Sequence, residues 1–254
     1  MPRYFIEVAY KGGSFHGFQI QENGKTIQGE LNHALSILVK QTVETTTSSR
    51  TDAGVHAYQN FLHWDSPIDL PRNVIYSLNS ILPKEIAVLN IYPVSPNAHS
   101  RFDAIGRKYA YHITSFKNPF LSESSYHFPF KIELDKLHET AELLKQFEDF
   151  SSFSKRHTDV NTFNCTISES YWEQLSTHQL IYHVKSNRFL RGMVKAMVGT
   201  QLLVGRGKLS LEEFKEVLLA KDCTKADFSP PSMGLFLENV IYPADFLQNP
   251  LPYK

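Results

Sequence analysis

Apolar and polar residues alternate along residues 3–10, placing Tyr4, Ile6, Val8 and Tyr10 on one side of an extended chain, and the pattern predicts a strand. The run "KGGSFHG" breaks it. Ile27, Leu31, Leu35 and Leu38 then recur at helical spacing. Residues 42–48, "TVETTTS", are β-branched and alternating, which predicts a second strand. "YQNFLHW" reads as a third strand, "PRNVIYSLNSIL" as a helix with proline at its start, and "EIAVLNIYPV" as a fourth strand. The stretch "SPNAHSRFDAIG", near residues 96–106, interrupts the pattern.

Beyond it the elements return in similar order. "RKYAYHIT" alternates as a strand, and Leu137, Ala141, Leu144 and Phe147 form a helical stripe that Asp135 is placed to cap. "TFNCTISESYW" and "LIYHVKS" read as a pair of strands. Phe189 to Val204 is a strongly apolar helix that still carries Arg191 and Lys195. Ser210 with Glu213 forms a capping box for the next helix, and "MGLFLENVIYP" is the last strand. Each half thus runs strand, helix, strand, strand, helix, strand, with one extra helix in the second. That is the split βαβ order twice over. The expected fold is α+β: two ferredoxin-like halves, residues 1–100 and 101–254, with antiparallel sheets, helices on one face of each, and an active-site cleft between them.

Composition narrows the setting. A chain of 254 residues is long enough to bury a real core. No apolar run approaches the roughly 20 residues that span a bilayer, and "MPRYFIEVAY" has no signal-peptide core, so the expectation is a cytoplasmic protein with no membrane partner. Cys165 and Cys223 match no metal-ligand spacing and read as reduced thiols. The net charge is zero, so any contact with nucleic acid has to come from local clusters. Three are present: Arg101, Arg107 and Lys108; Lys155, Arg156 and His157; and Lys185, Arg188, Arg191 and Lys195. Taken singly, each is ordinarily a solvated face.

Chemistry-bearing motifs are mostly missing. His56 and His63 stand seven apart, HExxH and CxxC do not occur, and no metal is expected. "GKTIQGE" lacks the first glycine of a phosphate loop, and the GxSxG nucleophile elbow is absent. What remains is "SSRTDAGVHA", residues 48–57. Asp52 follows a predicted strand and precedes Gly54, which tolerates backbone conformations closed to other residues. Arg50 lies two residues away, on the same face if the backbone is extended. A nearby cation favours the ionised carboxylate while burial opposes it, and together they describe an anionic, partly desolvated oxygen nucleophile. From spacing alone, a turn with a local Arg50–Asp52 ion pair fits better.

"RTDAGVHA" closely resembles the catalytic motif of the tRNA pseudouridine synthase A family. The likeness continues in collinear order over nearly the whole chain: "YKGGSFHGFQIQ", "TIQGELNHAL", "LNSILPKEIAV", "AHSRFDAIGRKYAY", "FLRGMVKAMVGTQLLVGRG" and "PPSMGLFLENVIY". The resemblance implies an isomerase that detaches uracil from ribose in the anticodon stem-loop of tRNA, turns it, and rejoins it through carbon. It implies no metal and no small-molecule cofactor. It makes Asp52 the nucleophile, Tyr109 the aromatic that holds the detached base, and Lys195 the cation beside Asp52, where many members carry arginine. Lysine there supplies a point charge instead of a bidentate fork. Arg50 matches the arginine that fills the space of the flipped uridine, whose extrusion costs a few kcal/mol. Arg101, Arg107 and Lys108 become phosphate contacts. The family works as a homodimer with one tRNA spanning both subunits. This chain departs from the family pattern with Ser49 for a glycine, Phe18 for a tryptophan, Ala98 for a phenylalanine, and no arginine directly after the Ser-Phe pair of "SSFSKRH". The same chemistry on another RNA site, or a catalytically silent tRNA-binding protein, are the alternatives.

Overall fold

The computed structural model describes residues 1–22, 24–156 and 160–253. Its first strand, β1 (Arg3–Tyr10), leaves Phe5, Ile6 and Val8 fully buried, so both of its faces are covered. Helix α1 (Ile27–Val39) starts at Thr26, whose hydroxyl accepts from the Gly29 N–H, and ends at Lys40 in a left-handed conformation. It buries Ile27, Leu31, Ala34, Leu35 and Val39, while Leu38 is half-buried. Strand β2 (Thr46–Thr47) is much shorter than the 42–48 strand expected. The reason lies in α1. The Val43 N–H donates to Ser36 Oγ at 3.0 Å, the Thr45 carbonyl accepts from Gln28 Nε2 at 2.7 Å, and Thr45 Oγ1 donates to Asn32 Oδ1 at 2.7 Å. Side chains of the helix thus take the backbone groups that a strand partner would have used.

Strand β3 (His56–Asp65), helix α2 (Val74–Ile81) and strand β4 (Ile86–Val94) follow. Pro71 lies three residues before α2; the Val74 N–H donates to its carbonyl across a turn, so the helix starts later than the proline suggested. The strand order is β4-β1-β3 with β2 on the far side of β3, and every one of these pairs is antiparallel.

The second set begins with β5 (Gly106–Thr114) and the short β6 (Tyr126–His127), which pair in parallel. Helix α3 (Leu134–Leu144) carries Asp135 in its first turn, not at its cap, where Glu133 stands; Phe147 lies beyond its end. Strands β7 (Ile167–Ser176) and β8 (Gln179–Ser186) form the expected hairpin, in the order β5-β8-β7, antiparallel throughout. Helix α4 (Met193–Gly205) is buried over most of its surface. It starts four residues later than Phe189 because Gly192 is left-handed, at φ 75°, and interrupts the helical backbone. The buried amide of Gln201 joins α4 to its neighbours, accepting from Trp172 Nε1 at 3.0 Å and Thr140 Oγ1 at 3.2 Å. Helix α5 (Leu211–Leu219) has the predicted reciprocal capping box of Ser210 and Glu213.

The last strand, β9 (Leu235–Ile241), pairs in parallel with β3 through His56↔Phe236 and Ala57↔Leu237. The chain is therefore mixed α/β, and its strand pairing is not purely antiparallel as the sequence suggested. Two compact units result: Met1–Ile105 together with the segment from Phe236 on, and Gly106–Leu235. Where the sequence assigns residues 236–254 to the second half, that segment clusters with the first. Its aromatic side chains show why: Tyr242 and Phe246 pack on Phe5, at 5.6 and 5.7 Å between ring centroids, and Tyr242 also meets Phe61 at 5.2 Å. Cys165 is buried and Cys223 partly exposed, both as free thiols; burial pushes the Cys165 thiol up to about 11. Among the described residues, no helix is long and apolar enough to cross a membrane.

Candidate active site

The connection from β2 to β3 is the stretch that carries Asp52. Its backbone is fastened from several sides. The Ser48 N–H donates to the Phe61 carbonyl at 2.7 Å, extending the β2–β3 pairing. The Ser49 carbonyl accepts from Asn60 Nδ2 at 2.8 Å and Thr47 Oγ1 at 3.2 Å. Thr51 shares a 2.8 Å hydrogen bond with the Tyr10 hydroxyl, which also accepts from Asn60 Nδ2 at 3.2 Å. The Thr51 carbonyl accepts from the Phe18 N–H at 3.0 Å. A turn then closes with the Val55 N–H donating to the Asp52 carbonyl at 3.2 Å, Gly54 taking a φ of 80°. Ser48, Ser49, Thr51 and Val55 are buried, Asp52 is half-buried and Arg50 is exposed.

The glycine-rich opening loop wraps this turn at close range. A Cβ on Gly12 would stand 2.0 Å from the Val55 carbonyl oxygen, so only glycine fits there. The Gly12 N–H donates to His56 Nδ1 at 3.2 Å, which keeps that ring nitrogen an unprotonated acceptor. Phe18 is fully buried, 5.7 Å from the Tyr10 ring, and so fills its site as an aromatic. Ser49 is used through its carbonyl, a bond that glycine would make equally well.

Among the described residues no ion pair joins Arg50 to Asp52. The local turn is present, but not the salt bridge that would have made it only a turn. The sequence missed Asn60, Tyr10 and Thr51 as the supports of this loop. The available signal was Asn60 itself, an amide in the middle of a strand whose neighbours Phe61 and Leu62 are core residues.

In the second unit, Tyr109 sits on β5 opposite Val184, buried, with its ring edge-to-face against Phe189 at 5.0 Å. Arg107 and Lys108 precede it, both half-buried, facing Ser186 and Lys185. Arg107 donates to the Asn187 carbonyl at 3.3 Å, and Lys185 pairs with Glu169 at 3.0 Å. Lys195 lies half-buried in the first turn of α4. At the same end of that helix, the Lys155 N–H donates to the Arg191 carbonyl at 3.0 Å, and the Lys155 stem rests on Gly192, whose Cβ would be 3.1 Å from Lys155 Cγ. The structure therefore joins Lys155 to Arg191, which the sequence placed in different clusters, at the end of the helix that carries Lys195. It also divides another, since Arg101 belongs to the first unit and Arg107 and Lys108 to the second. Arg156 is exposed, 3.9 Å from Asp222; His157 lies outside the described residues.

A family model described as tRNA pseudouridine synthase matches residues 147–243. Over 247 residues the chain is 44% identical to the tRNA pseudouridine synthase A of Parabacteroides distasonis, spanning 96% of this chain and 98% of that one. It is 41% identical to the protein of the same name from Porphyromonas gingivalis, over 96% and 99% of the two chains. The corresponding protein of Bacillus pumilus is 36% identical over 92% and 97%.

Proposed function

The chain belongs to the tRNA pseudouridine synthase A family, and is thereby an isomerase acting on tRNA; from that premise we propose that it converts uridine to pseudouridine in the anticodon stem-loop, with Asp52 as the nucleophile. The bond from ribose C1′ to uracil N1 breaks and a bond from C1′ to C5 forms. The C5 hydrogen leaves as a proton and N1 gains one, so atoms and electrons balance without an oxidant or reductant. Asp52 opens this sequence, whether by attack on the ribose, attack on the base, or promotion of elimination.

The observation that carries the reading is the setting of Asp52. Asp52 is half-buried, while the backbone on either side is held by buried partners from β1, β3 and the opening loop. A nucleophile fixed in this way meets its target without having to be ordered first. Tyr109 is assigned to hold the detached uracil by stacking, its hydroxyl assisting proton loss. Lys195 is the cation assigned to the reaction. Arg50, exposed on the same loop, occupies the stack that the uridine leaves. Arg101, Arg107 and Lys108 take phosphates. The first unit brings the aspartate loop and the second the tyrosine and the basic helix. The order β4-β1-β3-β2 in the first favours a split βαβ half. In this reading the protein is a cytoplasmic homodimer.

The test uses tRNA tritiated at uracil C5. Isomerisation releases that label to water and binding alone does not. Release that is abolished in Asp52→Ala supports the proposal; no release above that control sinks it. Sequencing modified uridines in cells lacking the protein then checks the anticodon arm.

A further inference from the structure

The turn from Ala98 to Asp103 is braced far more strongly than an ordinary connection. The His99 N–H donates to Asp103 Oδ2 at 2.7 Å, and the Asp103 N–H returns to the His99 carbonyl at 3.1 Å. His99 Nδ1 accepts from the Arg101 N–H at 3.1 Å and the Phe102 N–H at 3.4 Å. Ser100 is fully buried: its N–H donates to His63 Nδ1 at 3.2 Å, its hydroxyl lies 2.9 Å from the Thr46 carbonyl, and its own carbonyl accepts from the Tyr242 hydroxyl. Arg3 donates to the Ala98 carbonyl at 2.8 Å while Asp65 clamps its guanidinium with two 2.7 Å bonds. Burial, with His99 and Arg3 adding, depresses the His63 imidazole to about 4, so the ring stays a neutral acceptor for Ser100.

On this rigid turn stands a ring that does little for folding. Phe102 is 73% exposed and Ile105 58% exposed. The Phe102 ring lies 4.2 Å from the His99 ring, which supports it from one side. The Arg101 guanidinium is 5.7 Å from its centroid, and Arg101 is itself exposed. An exposed aromatic next to a cation is the pairing that takes a nucleobase by its face and the adjoining phosphate by its charge. The turn is also tied to the aspartate loop within the same unit, since Ser100 bonds to Thr46 and Thr47 Oγ1 donates to the Ser49 carbonyl. We propose that Phe102 and Arg101 form a stacking platform for a nucleotide of the RNA substrate other than the uridine being isomerised, Phe102 taking the base and Arg101 its phosphate. This rests on the function proposed above and extends it from the reacting base to a second subsite.

The experiment measures tRNA affinity by direct titration, and kcat and KM by tritium release, for Phe102→Ala, Phe102→Leu and Phe102→Trp. Loss of the ring in the alanine and leucine variants is expected to raise Kd and KM about ten-fold with kcat within about two-fold, and tryptophan to restore the wild-type values. Leucine behaving like the wild type, an unchanged Kd for alanine, or a fall confined to kcat overturns the platform. So does a melting temperature that drops in step with affinity across the three variants. Arg101→Gln should reduce the slope of log affinity against log salt by about one, and an unchanged slope removes Arg101 from the phosphate. Affinity is read without chemistry, so the two proposals fail separately. A wild-type protein that binds tRNA and releases no tritium overturns the isomerase reading while the affinity series still decides the platform.

Discussion

Asn60→Ala should uncouple the aspartate loop from the strand that holds it. The Asn60 side chain is fully buried and makes three hydrogen bonds: Nδ2 to the Ser49 carbonyl at 2.8 Å and to the Tyr10 hydroxyl at 3.2 Å, and Oδ1 from the Phe61 N–H at 2.9 Å. Truncation removes all three. The partners on the loop side are not left bare, because Thr47 Oγ1 still reaches the Ser49 carbonyl at 3.2 Å and Thr51 still reaches Tyr10 at 2.8 Å. On the loop side the cost is therefore set by net hydrogen-bond losses of about 1 kcal/mol each, while the buried Phe61 N–H loses Asn60 Oδ1 as its acceptor and adds an unsatisfied-donor penalty, for a total of about 3–5 kcal/mol. Urea unfolding followed by circular dichroism measures it. Function should fall further than this loss explains, because the freed carbonyl is three residues from Asp52. Single-turnover tritium release is expected to slow about ten- to a hundred-fold under conditions where the variant is fully folded, with tRNA affinity within about three-fold. Asn60→Asp keeps the shape but turns an acceptor toward the Ser49 carbonyl, and should be at least as damaging. A change below about 0.5 kcal/mol with normal turnover would show that Asn60 does not position this loop.

Three further outcomes are expected, the first two from the geometry and the third from the function proposed above. The folded His63 imidazole gives up its proton at about 4 and the unfolded one near 6.5, so the unfolded chain binds the extra proton between those values and stability falls as pH drops through that window. His63→Gln should flatten the dependence by about 1–3 kcal/mol between pH 7 and 4.5 in urea titrations; parallel curves for the two proteins refute it. Gly12→Ala puts a methyl 2.0 Å from a backbone oxygen and should lower stability by about 2 kcal/mol or more, which thermal unfolding checks; a neutral substitution would mean that the opening loop gives way freely. Lys195→Ala should keep tRNA affinity within about three-fold and cut turnover on the order of a hundred-fold, and near-normal turnover would show that Asp52 does not depend on this cation.

Much of the fold was legible because its strands and helices keep the period their burial demands. β1, β3, β4, β5 and β8 stand within a residue or two of where the sequence placed them, while β7 starts at Ile167, later than the Thr162 start expected. The failures share a cause: local backbone chemistry that hydrophobic periodicity does not register. Gly192 sits in an apolar run that reads as helix, yet its left-handed backbone sets the start of α4 one residue beyond it. Asp135 has the identity of a cap but falls within the first turn, where a carboxylate still suits the helix dipole. The assignment of the last segment to the second half came from its order in the chain. Its attachment to the first unit depends on Tyr242 and Phe246 finding Phe5 and Phe61, contacts between residues more than a hundred and fifty positions apart.

The stretch 42–51 carries the same lesson into the site. Residues 42–48 read as a β-branched, alternating strand, and only Thr46 and Thr47 pair as one. Thr45, Thr47 and Thr51 act through their polar atoms. Thr45 bonds to Asn32, Thr47 to the Ser49 carbonyl, and Thr51 to Tyr10, so a sequence that looks like strand propensity serves as a set of side-chain braces leading to Asp52. Thr differs from Val here only in carrying a hydroxyl in place of a methyl, which alternation patterns ignore and a buried loop cannot do without. That explains why the motif around Asp52 was readable by resemblance while its supports were not. Chemistry constrains the aspartate and its neighbours in order along the chain. The braces are constrained only by where their hydroxyls end, and Tyr10 and Asn60 come from other strands to meet them. Replacing Thr51 with valine isolates the point, since it keeps shape and strand propensity and removes only the bond to Tyr10. It should therefore cost about 1 kcal/mol and slow tritium release, whereas a protein indistinguishable from the wild type in both would return this stretch to the role of plain β-branched filler.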